Sequence, residues 1–470
     1  MPRRYPAALS RDHARPRGVP APTCDAIETH LAELIQPAIF AQQEAYRQLG
    51  LRERVLALPA IVAIVLTIIW RHVPAVSEAV RLLARDGVLW TPAIRVSQQA
   101  LSWRLRTLPP SLFAGIWHHL APTLHQRAAL RTRPLPPVIA RVQPHYPRVW
   151  AVDGSTLEAV FKKVGLRRPQ PGTVRGGAMA AVLDLASTLP VHIWLDDEAT
   201  GNDLRFVEPL KAVLEPGTLL VLDAGYWAFP FFDWLTDHGC GFVIRARAVR
   251  AEHELQVLHR SAHVADRLVQ LGRYRSNPCR HPLRIVEVTI DGQQRAYLTN
   301  VRDPRVLSAA DVVDLYDQRW RIEEAFLAVK RLLGLSYLWS GAANGIALQL
   351  WASWLLYAVI VDLADAIAEE RGLPLAAISP EMTFRGLYHF TVAFQRGLTT
   401  DPVTYLAAQD DLGIVKLRRP ARERQHTALD TWRSELNLYP ITERPPLRSL
   451  LSSPYRPSCS GCPAICMRVR

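Results

Sequence analysis

Near residue 147 the hydrophobic rhythm of the chain changes, and that switch limits the possible folds more than any other feature. Before it, from about Asp25 to His119, apolar residues recur at helical three- and four-residue spacing. After it come apolar runs of strand length: Arg148 to Asp153, Ala180 to Leu185, Val191 to Leu195 and Thr218 to Asp223. Helical patterns follow at Leu204 to Val213 and Phe229 to His238. Strands in succession, then strands alternating with helices, predict an α/β fold with a mixed sheet flanked by helices. Between Gly241 and Val301 the pattern is β again, in FVIRAR, RIVEVTI and RAYLTNV, and reads as a β-rich insertion rather than another strand–helix repeat. A long helix is expected from about Ser308 to Leu335, and mostly helical sequence from there to about Ala408.

The 470 residues then divide into a basic disordered arm (1–20), a helical N-terminal region with a linker (21–145), a central α/β domain (146–340, insertion at about 241–301), a mostly helical C-terminal region (341–450) and a tail (451–470). Leu120 to Pro147, rich in Arg and Pro, is read as the linker. Helices are expected at Ala75 to Arg85 and at Ser97 to Thr107, the second with Ser97 as N-cap. Gln98, Gln99, Ser102, Arg104 and Arg106 suit base edges and phosphates, which makes the N-terminal region a DNA-binding candidate; a solvated amphipathic helix is the alternative.

Two apolar runs, Val55 to Trp70 and Ile346 to Val361, each cover 16 positions. Roughly 20 are needed to cross a bilayer, so both are expected as buried helices. The Arg-rich Met1 to Pro20 has no apolar stretch behind it and does not read as a secretory signal. The expectation is a cytoplasmic protein without membrane contact.

With 56 Lys+Arg against 43 Asp+Glu the formal charge is +13, which points to a polyanionic partner, nucleic acid first. Lys162, Lys163, Arg167, Arg168 and Arg175 form one basic segment, Arg245 and Arg247 alternate on one strand, and Lys416 to Arg424 adds a third cluster. Six Cys rule out a disulfide scaffold, and Cys459, Cys462 and Cys466 lack a nearby fourth zinc ligand. No nucleophile elbow, Walker loop or dinucleotide fingerprint is present, so serine hydrolase, NTPase and dehydrogenase readings lack support. Thr200 to Asp203 (TGND) is polar and strand-adjacent, with no role assigned by pattern.

Asp153 and Asp223 each end an apolar run, where α/β sheets collect functional groups, and two such carboxylates could converge on hard divalent cations. Tyr316, Arg319, Glu323 and Lys330 fall at offsets 0, +3, +7 and +14. At about 100° per residue they share a stripe roughly 60° wide, while Glu324 points elsewhere. A carboxylate beside an Arg and a Lys suits phosphodiester chemistry, although charges at this spacing also occur on ordinary solvated helix faces.

At these residues the sequence resembles the DDE transposases of bacterial insertion sequences, and more narrowly insertion-sequence family four, whose signature Y-x2-R-x3-E-x6-K reads here from Tyr316 to Lys330. VDGS at Val152 to Ser155 and LDAGY at Leu222 to Tyr226 resemble the first and second acidic motifs of that family. The resemblance implies an RNase H-like catalytic domain with a β-rich insertion between the second Asp and the Glu. It implies that Asp153, Asp223 and Glu323 are catalytic and hold two divalent ions, Mg2+ with Mn2+ able to substitute, for in-line displacement at phosphorus. By similarity Tyr316, Arg319 and Lys330 grip transposon-end phosphates, with Lys162, Lys163, Arg245 and Arg247 as further DNA-binding residues. The implied partners are double-stranded DNA, as terminal inverted repeats and target, and a second copy of the chain in a synaptic homodimer, with no small-molecule substrate. A hairpin intermediate, common in the family, needs a flipped base on an aromatic platform, for which Trp227 is a candidate beside its reading as a core residue. A nuclease without strand transfer and a DNA-binding protein without catalysis are the alternatives.

Overall fold

The computed structural model describes residues 21–156, 178–196, 202–246, 252–273, 275–290, 292–332, 339–340 and 342–416. The arm at 1–20, the segment with Lys162, Lys163, Arg167, Arg168 and Arg175, Arg247, and everything after Lys416, the Cys tail included, lie outside the described residues.

The first part of the chain is helical: α1 Asp25–Phe40, α2 Gln43–Gln48, α3 Leu58–Trp70, α4 Val76–Arg85, α5 Gln98–Thr107, α6 Ser111–Leu130 and α7 Pro137–Val142. Ser97 caps α5 as expected, its side chain accepting a hydrogen bond from Ala100 N. Arg104, expected to face DNA, instead turns inward, is buried and donates to the hydroxyl of Tyr46. The expected linker is a second departure, because helix α6 runs through Leu120 to Leu130 and α7 follows.

Nine strands form one sheet among the described residues: β1 Arg148–Thr156, β2 Ala178–Asp184, β3 Pro190–Asp196, β4 Thr218–Leu222, β5 Gly241–Arg245, β6 Glu252–Arg260, β7 Val264–Leu271, β8 Leu283–Ile290 and β9 Gln293–Thr299. The order is β3-β2-β1-β4-β5-β9-β8-β7-β6. Strands β1, β4 and β5 are parallel, and every other pairing is antiparallel. Gly241 to Arg245, expected at the start of the insertion, pairs in the parallel part of the sheet. It is the third parallel strand, reached from β4 through helix α9 (Phe229–Asp237, after α8 Val207–Lys211), and the antiparallel meander proper starts at β6. Strands β6 and β7 escaped the pattern reading; β6 is an edge strand with mostly exposed side chains, so it carries little apolar alternation.

Alternation along the strands sorts side chains onto two faces. Trp150, Val152, Leu220, Leu222, Phe242 and Ile244 point to one face and pack with Phe231, Phe232 and Leu235 of α9. Val149, Ala151, Leu219, Val221 and Val243 point to the other, where the helical layer covers them. That layer is completed by α10 Ala309–Gln318, α11 Trp320–Leu327, α12 Ala343–Glu370, α13 Pro380–Gln395 and α14 Pro402–Ala407. Residues from Cys24 to Ile414 share this core, so the helices at both ends of the chain pack as one layer. Helix α12 is long and apolar enough to cross a membrane, but 83% of its most apolar window is buried inside the protein. Helix α3 is likewise buried from Ile61 to Trp70.

Three acids on α12 explain why the Arg-rich stretch docks. Asp362 receives Arg127 and Arg131, Asp365 receives Arg133, and Glu369 receives Arg131. The partners stand more than 230 positions apart in sequence, which is why composition alone suggested a linker.

Candidate active site

Strand parity and register bring the two Asp residues together. Asp153 continues the series Val149, Ala151 on β1, and Asp223 continues Leu219, Val221 at the end of β4, so both face the helical layer. Val152 pairs with Leu222, which sets the two acids side by side on neighbouring parallel strands. Asp153 lies inside β1 rather than at its end, because pairing with β2 carries the strand to Thr156. Each carboxylate is oriented locally, Asp153 by Gly154 N (2.8 Å) and Asp223 by Gly225 N (3.0 Å).

The expected long helix supplies the third acid, with a break. Helix α10 is opened by a capping box between Ser308 and Asp311 and ends at Gln318. Arg319 keeps helical angles (φ −54°, ψ −32°) but lies at the junction, α11 then runs to Leu327, and Ala328–Leu332 forms a π turn. Such turns recur at functional sites, since they shift side chains off the regular helical spacing. Ile322, Ala325, Phe326 and Val329 anchor the segment in the core under β1, leaving Arg319 and Glu323 to face the strand acids.

Arg319 is the centre of the cluster. One guanidinium nitrogen is 2.8 Å from Asp153 and 4.0 Å from Asp223, and the other is 2.6 Å from Glu323. The guanidinium also lies 5.6 Å from the centre of the Tyr316 ring, which in turn packs against Tyr297. Lys330 reaches the hydroxyl of Ser155, two residues along β1 from Asp153. The structure therefore brings Asp153, Asp223, Glu323, Tyr316, Arg319 and Lys330 into one site. Arg245 lies exposed at the end of β5, and Trp227 is half-buried, edge-on to Phe232 at 5.3 Å.

Electrostatics follow from burial. Asp153 is 8% exposed, and burial pushes its carboxyl up to about 7; Arg319 opposes that rise, and the neighbouring Asp223 and Glu323 add to it. Burial works against the Arg319 charge, yet Asp153, Tyr316, Glu323 and Asp223 hold it above its ordinary value. Lys330 is held below its ordinary value by burial, with Asp153 acting the other way. The donor set of three carboxylates from paired strands and a covering helix is the chemistry a hard divalent cation prefers. Those carboxylates already converge on one positive group, the Arg319 guanidinium. Among the described residues no three His, Cys, Asp or Glu side chains close tightly enough to enclose a metal ion by themselves.

Residues 145–358 match the family model of the transposase DDE domain. That span contains all three acids and the Tyr–Arg–Lys set. The chain is also similar to a "Probable transposase for insertion sequence element IS5377" of Geobacillus stearothermophilus, 26% identical over 240 residues that cover 50% of this chain and 62% of the relative. It is 28% identical over 198 residues to a "Putative transposase y4zB" of Sinorhizobium fredii, covering 40% of this chain and 54% of that one. The chain thus spans 54–62% of the length of these curated relatives. A solved structure of piggyBac transposase in a synaptic complex with hairpin DNA aligns over 88% of this chain and 84% of that one, at TM-score 0.38 and 11% identity. The domain match and the relatives support a DDE transposase.

Three neighbours of the site residues carried no functional signal of their own in the sequence. Ser155 gives no pattern of its own. Asp203 belongs to the TGND segment, whose Thr200 and Gly201 lie outside the described residues. Tyr226 sits in LDAGY, and its buried hydroxyl has no hydrogen-bond partner among the described residues. The usable signal was glycine placement, directly after Asp153 and two residues after Asp223.

Proposed function

We propose that this chain is a transposase of insertion-sequence family four that cuts and rejoins DNA at terminal inverted repeats, with Asp153, Asp223 and Glu323 as the catalytic acids. The observation that carries the reading is the meeting of those three carboxylates, from β1, β4 and α11, around one guanidinium. The strand order β3-β2-β1-β4-β5, with β1, β4 and β5 parallel and the first three strands antiparallel, supports an RNase H-like domain. The meander β6–β9 between Asp223 and Glu323 supports the family's β-rich insertion.

Asp153, Asp223 and Glu323 would hold divalent metal, Mg2+ or Mn2+ as two ions, which supplies Lewis-acid activation of the attacking and leaving oxygens. Everything else in the chemistry falls to the chain. Asp153 and Asp223 stand fixed by backbone N–H donors, so they present oxygens without reorganising. A backbone phosphate entering the site gives Arg319 an alternative bidentate partner to Asp153 and Glu323. Lys330 offers a second cation from the π turn, and the Tyr316 hydroxyl a neutral contact beside them. Arg245, with Lys162, Lys163 and Arg247, would extend the duplex footprint, and Trp227 would serve a flipped base. A homodimer on paired ends, acting at the nucleoid in the cytoplasm, completes the proposal.

The test is end cleavage of a supercoiled donor carrying the native terminal repeats, in Mg2+. Asp153→Ala, Asp223→Ala and Glu323→Ala should each lower cleavage at least about a hundredfold, the loss that follows when several kcal/mol of transition-state stabilisation go. Wild-type rates in all three would end the assignment. Cleavage without a strand-transfer product would reduce the reading to a nuclease.

A further inference from the structure

Asp203 opens a short 3-10 turn (Asp203–Phe206) whose capping is done by its neighbour, since the Asn202 side chain accepts from Leu204 N. The Asp203 carboxylate is therefore not engaged in capping. It lies instead against two glycines. A methyl group on Gly154 would collide with its Oδ1, and one on Gly225 with its Oδ2. Those glycines directly follow Asp153 and stand two after Asp223; because Gly154 faces the side of β1 opposite Asp153, the carboxylate approaches the segments that carry the strand acids from the α9 face of the sheet. Among the described residues it receives no hydrogen bond. The cation that acts on it, Arg205, is paired with Asp196 at 3.1 Å.

A second observation points to a ligand. Tyr226 is 0% exposed, and its hydroxyl has no hydrogen-bond partner among the described residues. After burial, the charges that act most on it are those of Asp203, Asp153 and Asp223, in that order, so the hydroxyl lies within the field of the acidic group. A buried hydroxyl without a partner and a half-buried carboxylate without a donor are both costly to leave so. Either is relieved once the carboxylates are drawn together by positive charge.

We propose that Asp203 is a fourth acidic residue of the divalent-cation site, adding its carboxylate to those of Asp153 and Asp223, with the Tyr226 hydroxyl as the donor that steadies the group once a cation binds. This rests on the reading of Asp153 and Asp223 as metal-binding residues. The Gly154–Gly225 cradle admits that carboxylate, since a Cβ at either position would push it aside.

Mn2+ binding to the full chain without DNA, followed by electron paramagnetic resonance or calorimetry, tests the proposal in wild type, Asp203→Asn, Gly225→Ala, Tyr226→Phe and Asp153→Asn. Asp203→Asn should raise the Mn2+ Kd about 10–100-fold, the range seen when supporting residues of metal sites are removed. Gly225→Ala keeps the charge but displaces it, and should raise the Kd in the same direction; it decides the matter where Asp203→Asn fails to fold. Tyr226→Phe should raise the Kd more modestly, with an unfolding temperature in chelator close to wild type. Affinity within twofold of wild type in both Asp203→Asn and Gly225→Ala, with binding lost in Asp153→Asn, overturns the role of Asp203 and leaves the triad intact. A wild-type chain that binds no Mn2+ overturns the triad as a metal site and this inference with it.

Discussion

Replacing Asp153 by Asn should stabilise the metal-free protein, and by an amount that depends on pH in a defined way. Burial lifts the Asp153 carboxyl from its ordinary 3.8 to about 7 in the fold. Between those values the folded chain holds a proton that the unfolded chain has released, so wild-type stability falls as pH rises across that window. Below 3.8 both states are protonated and the effect is constant; above about 7 the cost is complete. At about 1.4 kcal/mol per pH unit, the full window amounts to about 4 kcal/mol, of which about 3 kcal/mol falls between pH 5 and pH 8. An asparagine side chain has the same shape, still accepts through its oxygen and carries no charge to desolvate. Arg319 keeps Glu323 at 2.6 Å and Asp223 at 4.0 Å, so it is not orphaned by the change. Urea unfolding in chelator, read by Trp fluorescence at pH 5, 6, 7 and 8, should show the Asp153→Asn variant gaining on wild type as pH rises. A gap that stays flat with pH, or a variant less stable than wild type at pH 8, refutes the argument that burial governs this carboxyl.

Asp365→Ala leaves the charge of Arg133, whose side chain is 2% exposed, buried with only the Ala186 carbonyl as acceptor, and should cost about 3–5 kcal/mol in thermal unfolding, whereas Arg133→Met combined with Asp365→Leu recovers most of it. A single-variant loss under about 1 kcal/mol would show that the pair does not hold the helices together. Ser308→Ala removes the capping-box hydroxyl of α10 and should lower stability by about 1 kcal/mol, measured by chemical denaturation; no change would mean that burial alone fixes that helix start. DNA affinity should fall steeply with salt, and Arg245→Ala should reduce the slope of log K against log salt by about one; a slope equal to wild type removes Arg245 from the footprint.

Much of the site was legible because it is written in short-range patterns. The Tyr316–Lys330 spacing and the apolar runs leading to Asp153 and Asp223 need only periodicity, which is local chemistry. The strands β1 to β4 were found by the same means, and so were α4, α5 and α9. What failed did so where the deciding partner is far away in sequence. The Arg-rich stretch from Leu120 is helix because acids on α12 neutralise it, and Gly241 to Arg245 joins the parallel set because β4 offers an open edge beside it. Strand β6 is held by its ladder with β7 rather than by a buried face, so hydrophobicity could not reveal it.

The sequence by itself determined which acids lie on one face, since alternation along a strand and turn along a helix are properties of the backbone. Only the tertiary structure decided that β1 and β4 pair with Val152 opposite Leu222, that the helix breaks at Arg319, and that this guanidinium stands among all three carboxylates. It also decided that Asp203 lies against Gly154 and Gly225, because two glycines leave room for it. The physical reason is that charge and burial act through space: the energy of Asp153 depends on what surrounds it after folding, and nothing within a few residues along the chain supplies that surrounding.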